Sequence, residues 1–152
     1  LASGDLDRNL GISYEQLEQD HLAEARFKAA LEKNPNDPYT LNYLGYWWAD
    51  DGRNLEEAIK LIEQAVRLRP SSGYFVDSLG WVHYKLGNYD LAVAFLEKAT
   101  TLEPMDAVIT GHLGDAYWET GRVAEARFKW QYALTIATTD ELKAEFTAKL
   151  KQ

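Results

Sequence analysis

The 152-residue chain sets 16 lysines and arginines against 24 acidic residues, a formal charge of −8, with 46% hydrophobic and 12% aromatic residues and no cysteine. That length suits one folded domain with a core of its own, and the composition is globular rather than disordered. The acidity opposes a phosphate backbone and so excludes nucleic acid as a partner, while the lack of cysteine excludes disulfides, zinc–thiolate sites, iron–sulfur clusters and thiol nucleophiles.

No run approaches the roughly 18 apolar residues of a membrane span, so direct membrane insertion is not expected. The chain opens on Leu1, in LASGDLDRNLG, with neither a methionine nor a basic-then-apolar leader. It reads as an excised fragment, which leaves the compartment undetermined.

A Leu-Gly pair recurs at Gly11, Gly45, Gly80 and Gly114, at separations of 34, 35 and 34 residues. A fixed period of this size marks stacked supersecondary units. In the first unit, about 4–37, one helix runs through NLGISYEQLE and a second carries Ala23 and Ala30 before Pro35. Two features depart from the pattern. Glu18 stands where the other units have a turn glycine, and Asp7 occupies a position that calls for an apolar residue, so the opening helix is expected to fray.

The second unit, about 38–72, repeats the pattern with Gly45, Ala58, Ala65 and Pro70. Gly11 to Gly45 is 34 residues but Ala23 to Ala58 is 35, which places one extra residue, Asn54, in this unit's turn. The third unit, about 73–106, is the clearest. Gly87 supplies the left-handed residue that ends its first helix. Ala92, Leu96, Ala99 and Leu102 then line one face of the second helix, and Pro104 ends it for want of an N–H. Glycine inside a helix costs about 1 kcal/mol relative to alanine. Helices pack about 8–10 Å apart, as the contacting side chains allow, so Gly80 is expected at a point of close approach, with Ala92 and Ala99 serving the same contact.

The fourth unit, about 107–140, follows with Gly114, Ala126 and Ala133. AEARFK occurs at 23–28 and again at 124–129, but 101 residues apart where repeat phase requires 103, so the phase of Ala30, Leu31 and Pro35 is preferred. Beyond it, Thr138 with Glu141 has the form of a capping box. Leu142, Phe146 and Leu150 recur every four residues in a helix over about 141–151 that would cover the last apolar surface.

Leu-Gly, an aromatic three residues on and two alanines, phased over four units, with a closing proline in the first three, together resemble the tetratricopeptide repeat. That resemblance implies an all-α, right-handed superhelical solenoid of about four helix hairpins plus a capping helix, forming a single domain over 1–152. It also implies that the first helices line a concave surface on which peptides or helices bind. The positions that resemble groove positions are Arg8, Ile12 and Glu15, then Tyr39, Asn42, Tyr46 and Asp50. Tyr74, Asp77, Trp81, Tyr84 and Lys85 follow in the third unit, with Val108, Gly111, Asp115, Trp118 and Glu119 in the fourth. Acids outnumber bases among them, so the implied groove is acidic and aromatic and suits a peptide or protein with basic and apolar side chains. Chaperone-tail clamps of this family want Asn or Lys where Asp77 and Gly111 stand, which argues against a terminal carboxylate as ligand. Trp47, Trp48, Tyr14 and Tyr117 are expected to pack between helices, whereas Tyr46, Trp81 and Trp118 are open between groove and packing. An oligomer interface over the same aromatics is the alternative reading.

The last two units, with VDSLGWVHYKLG, HLGDAYWETG and EARFKW, resemble terminal repeats of proteobacterial tetratricopeptide proteins, including envelope lipoproteins that act as protease adaptors. This implies a bacterial source, in cytoplasm or periplasm, the latter as part of a membrane-attached parent. Catalysis finds no support. His21, His83 and His112 fall in different units without ligand spacing, and His83 is expected to be a packed imidazole with one hydrogen bond. DLDRNLG is similar to a calcium-loop opening, but Leu10 and Gln16 stand where such a loop needs Gly and Glu. No phosphate loop or hydrolase elbow is present. A noncatalytic adaptor without metal or cofactor is therefore expected, with a self-associating scaffold or a regulatory fragment of a larger protein as alternatives.

Overall fold

The computed structural model describes residues 4–152; Leu1, on which the expectation of an excised fragment rests, lies outside the described residues. Among the described residues there are nine helices and no strand. They are α1 (Asp5–Gln16), α2 (Asp20–Lys33), α3 (Pro38–Asp50), α4 (Leu55–Leu68), α5 (Gly73–Lys85), α6 (Tyr89–Leu102), α7 (Ala107–Glu119), α8 (Val123–Ile136) and α9 (Asp140–Leu150). They form two compact units, one reaching to Arg69 and one from Pro70 to Gln152.

In the first unit α1 packs on α2 and α3 on α4 as two helix hairpins. A methyl group at Gly11 would meet the ring of Phe27 at 2.7 Å, and one at Gly45 would meet Ile62 at 2.6 Å. Ala23, Ala30, Ala58 and Ala65 are buried on the facing helices. The short turn between α1 and α2 places Glu18 at φ 58°, a left-handed conformation that glycines take in the other hairpins, at Gly52, Gly87 and Gly121. The turn before α4 holds one more residue than the others, and Asn54 takes φ 50° as the residue preceding the helix. The insertion expected from the repeat phase lies there.

Asp7 is the notable correction. Instead of a defect at which α1 frays, it is a buried carboxylate held by Lys33 at 2.6 Å and Arg26 at 3.1 Å, both from α2. The hydrogen bond from Lys33 holds its pKa below the usual carboxylate value, against burial, with Arg26 adding to the effect.

The second unit contains the α5–α6 and α7–α8 hairpins and α9, which packs on α8 and α7. Gly80 lies on Leu96, where an added Cβ would stand 2.7 Å from Cγ, and Gly114 lies on Trp130 at 2.6 Å. These are the close approaches expected of the Leu-Gly pairs. The helix α9 starts one residue later than the capping-box reading places it. Thr139, not Thr138, is the N-cap, and its hydroxyl accepts from the Leu142 amide at 3.2 Å. Asp37, Ser72 and Asp106, which cap α3, α5 and α7, sit two residues after Pro35, Pro70 and Pro104. Each proline thus ends one helix just before a side chain that starts the next.

Candidate functional site

The first helices of the hairpins in each unit carry the residues singled out from the sequence. In the first unit, Asp37 links α1 to α3 by accepting from Arg8 at 2.6 Å, from the Thr40 hydroxyl at 2.6 Å and from the Tyr39 amide at 3.2 Å. Burial pushes the Asp37 pKa up, but the Thr40 and Arg8 hydrogen bonds outweigh it and the net shift is downward. Arg8, which also reaches Asp5 at 3.1 Å, is thereby tied into the frame.

Above this link, a cavity of about 240 Å³ opens between α1 and α3, lined by Glu15, Asn42, Tyr43, Tyr46, Trp47 and Asp50 together with Asp51. Four of the expected positions, Glu15, Asn42, Tyr46 and Asp50, therefore converge on one cavity. Tyr39 does not line it and is 55% exposed near the start of α3. The Tyr43 hydroxyl donates to Glu15 at 3.1 Å, and its pKa is pushed up to about 12, chiefly by burial and then by the Glu15 charge. The carboxamide oxygen of Asn42 is buried without a hydrogen-bond donor. Trp47, expected in the packing, is largely buried yet also forms cavity wall, with Arg53 stacked 4.3 Å from its ring.

In the second unit the expected positions divide. Tyr74 is 53% exposed near the start of α5. Trp81, left open between groove and packing, is packed. Its ring stacks on Tyr84 at 4.6 Å and on His112 at 3.9 Å, with Lys85 5.2 Å away, and only 7% of its surface is exposed. Asp77, also buried, lies 2.8 Å from His112 Nδ1. These two positions thus face into the α5–α7 contact. His83 is half-buried, stacked on Phe95 with centroids 5.5 Å apart, and its Nδ1 lies 3.3 Å from the Asn88 amide nitrogen, much as expected of a packed imidazole.

A second cavity, of about 180 Å³, is lined by Tyr84, Asp115, Trp118, Glu119, Trp130 and Lys149 with Gln152. Here α9 intervenes. Lys149 places its ammonium 2.8 and 2.9 Å from the two oxygens of Asp115, and the Trp130 indole donates to the same carboxylate at 3.0 Å. Phe146 lies directly on Gly111. Trp118 is half-buried against Trp130, centroids 5.3 Å apart. Burial raises the Tyr84 pKa first, and the nearby Asp115 and Glu119 charges raise it further. Tyr43, His112, Trp130 and Lys149 were not among the expected site residues. The aromatic at position 43, two before the repeat glycine, was a signal that could have found the first.

Among the described residues no cluster of three or more His, Asp or Glu is placed to hold a metal, and no helix is long and apolar enough to cross a membrane. The helix hairpins and their recurring glycine contacts define an all-α repeat protein. A tetratricopeptide repeat profile matches residues 8–73 and 78–141, and the chain belongs to that family.

Among curated proteins, the TPR repeat-containing protein PA4667 of Pseudomonas aeruginosa is 36% identical over 92 residues, 60% of this chain and 15% of that protein. The TPR repeat-containing protein MJ1428 of Methanocaldococcus jannaschii is 30% identical over 131 residues, 85% of this chain and 22% of that protein. This chain therefore spans less than a quarter of either relative. Among solved structures, Pseudomonas aeruginosa pilF superposes with TM-score 0.78 at 17% identity, over 99% of this chain and 76% of that one. MamA from Desulfovibrio magneticus RS-1 gives 0.77 at 23%, over 99% and 82%. A chain of the APC/C hetero-tetramer Cut9–Hcn1 gives 0.84 at 21%, over 100% and 30%. At these identities the likeness is one of fold. The tetratricopeptide repeat is in general a protein–protein interaction module, and its members are typically noncatalytic.

Proposed function

We propose that this chain is a noncatalytic adaptor or scaffold module that binds a peptide or protein bearing basic and apolar side chains on the acidic, aromatic faces of its first helices. The observation that carries this reading is the α1–α3 cavity, whose wall combines three carboxylates with two tyrosines and a tryptophan and holds no lysine or arginine. Aromatic walls supply contact area at low rotamer cost, and carboxylates select cationic partners. Partner-contacting residues on this reading are Tyr39, Asn42, Tyr46 and Asp50 in the first unit. In the second they are Tyr74, Trp81, Tyr84, Lys85, Asp77, Asp115, Trp118 and Glu119, of which Asp77, Trp81 and Asp115 already have the internal contacts described above.

Selection of a random linear-peptide library on the immobilised chain tests it. Peptides rich in Lys or Arg beside apolar residues are expected, and their capture should fall with added salt. Selection of no peptide, or of acidic ones, would overturn it.

A second reading, self-association, is favoured by the exposed apolar groups flanking the α6–α8 cleft, where Met105 is 69% exposed and Phe128 65%. Sedimentation velocity separates the two: a dimer that survives dilution supports self-association, and a monomer at micromolar concentration removes it.

A further inference from the structure

The two cavities are built from corresponding positions. Glu15 and Tyr84, Tyr46 and Asp115, and Asp50 and Glu119 are each 69 residues apart, two repeat periods, and so are Asn42 and Gly111. In the second unit the chain supplies its own occupant. From α9, Phe146 covers Gly111, and Lys149, one turn later, sets its ammonium on Asp115, 6.0 Å from the Trp130 ring and 5.9 Å from the Phe146 ring. A cation among aromatic rings on a groove carboxylate is thus how this face is satisfied where it is covered.

The cavity of the first unit also sets carboxylates among aromatic rings, although Tyr46 stands where Asp115 does and the acids come from neighbouring positions. Its wall holds the carboxylates of Glu15, Asp50 and Asp51. Arg53 approaches from outside the lining, 3.2 Å from Asp51, so carboxylates still outnumber cations there. The buried Asn42 oxygen has no donor, and the Tyr43 proton is already given to Glu15. Carboxylates and a carboxamide oxygen only accept, so an occupant has to donate, and an ammonium or guanidinium donates from several directions at once. Its alkyl stem would lie along the rings of Tyr46 and Trp47.

We infer that the cavity between α1 and α3 seats one lysine or arginine side chain of a partner polypeptide, as Lys149 occupies the corresponding place in the second unit. The inference rests on the protein-binding reading above and adds the anchor residue to it.

The test uses the isotopically labelled 152-residue chain, titrated with Nα-acetyl-arginine amide, Nα-acetyl-lysine amide and the neutral Nα-acetyl-citrulline amide. The reporters are the Trp47 indole and Asn42 side-chain resonances. Both cationic amides are expected to shift these signals saturably, with citrulline weaker by about tenfold. Glu15→Gln and Asp50→Asn should each weaken binding about fivefold. Asp50→Lys, at an exposed position that leaves the fold intact by circular dichroism, should abolish it. Equal binding of citrulline, or cation shifts confined to Asp115 and Glu119, overturns the inference. The library-selected peptides separate its failure from that of the wider reading. Peptides that bind Glu15→Gln and Asp50→Asn as well as the parent chain overturn the anchor alone. Amide binding without any selected peptide overturns the polypeptide source of the cation.

Discussion

Gly80 provides the sharpest test of why these hairpins close. A Cβ at that position would stand 2.7 Å from Leu96 Cγ, 3.0 Å from its Cδ2 and 3.3 Å from its backbone nitrogen. Cγ is the branch point of a side chain with no exposed surface, so it cannot swing aside as a flexible tip would. Overpacking a tight core costs about 1–3 kcal/mol, and this contact belongs at the upper end. Replacing a mid-helix glycine by alanine returns about 1 kcal/mol of helix propensity. The net expectation for Gly80→Ala is a loss of about 1–2 kcal/mol, or a fall in Tm of about 2–8 °C for a chain of this size. Urea unfolding followed by far-ultraviolet circular dichroism measures it. Adding Leu96→Ala should make the double variant lose less than the sum of the singles, a coupling expected only if the two positions touch. If Gly80→Ala raised stability by about the propensity gain, as at an uncontacted helix site, the close-approach account would be wrong.

Glu18 holds a left-handed backbone that disfavours L side chains by about 1–2 kcal/mol, so Glu18→Gly should stabilise the chain by up to about 1 kcal/mol after glycine's entropic cost, read as a higher urea midpoint. Phe146→Ala should destabilise by about 3–5 kcal/mol, because it empties a fully packed site on Gly111 and loosens α9, and hydrogen exchange should show α9 and α7 opening first. Asp7 has its pKa lowered in the folded state, so its contribution to stability is present above the unfolded carboxylate value of about 4 and disappears as pH falls through the folded value; Asp7→Asn should flatten that acid slope in urea midpoints measured from neutral pH downward. Tyr43, pushed up to about 12, keeps its proton when the unfolded chain has lost its own near 10, so folding weakens as pH rises between these values. Spectrophotometric titration should show a late tyrosine that moves earlier in Glu15→Gln, and more so than in Asp51→Asn.

Repeat phase made the hairpins legible, down to the extra residue at Asn54, because every unit reports the same contacts at the same spacing. The glycines were readable for the same reason: a residue unfavourable in isolation, recurring at a fixed beat, implies a partner surface. Pairings between unlike residues across hairpins carry no such beat. Asp7 looked like a weakness because its partners, Lys33 and Arg26, stand 26 and 19 residues away and repeat nowhere else. Trp81 was ambiguous until His112, 31 positions later, came to lie on its face. The acidic and aromatic character of the first helices could be read in sequence, but the closure of one such face by Lys149 and Phe146 could not. It depends on how α9 turns back, which local pattern does not encode. The Thr138 and Thr139 ambiguity is of the same kind, since two adjacent threonines are equally able to cap and only the path into the helix selects one.

The fastening of α1 to α2 by a sunken carboxylate between two partly solvated cations has a consequence for how the chain comes apart. Screening ions reach Lys33 and Arg26, whose side chains are 57% and 45% exposed, more readily than Arg8 or Lys149, which are 20% and 22% exposed in their own ion pairs. Raising ionic strength therefore slackens the leading hairpin ahead of the better-covered ion pairs that tie α1 to α3 and α9 to α7, turning it into a salt-tuned seam.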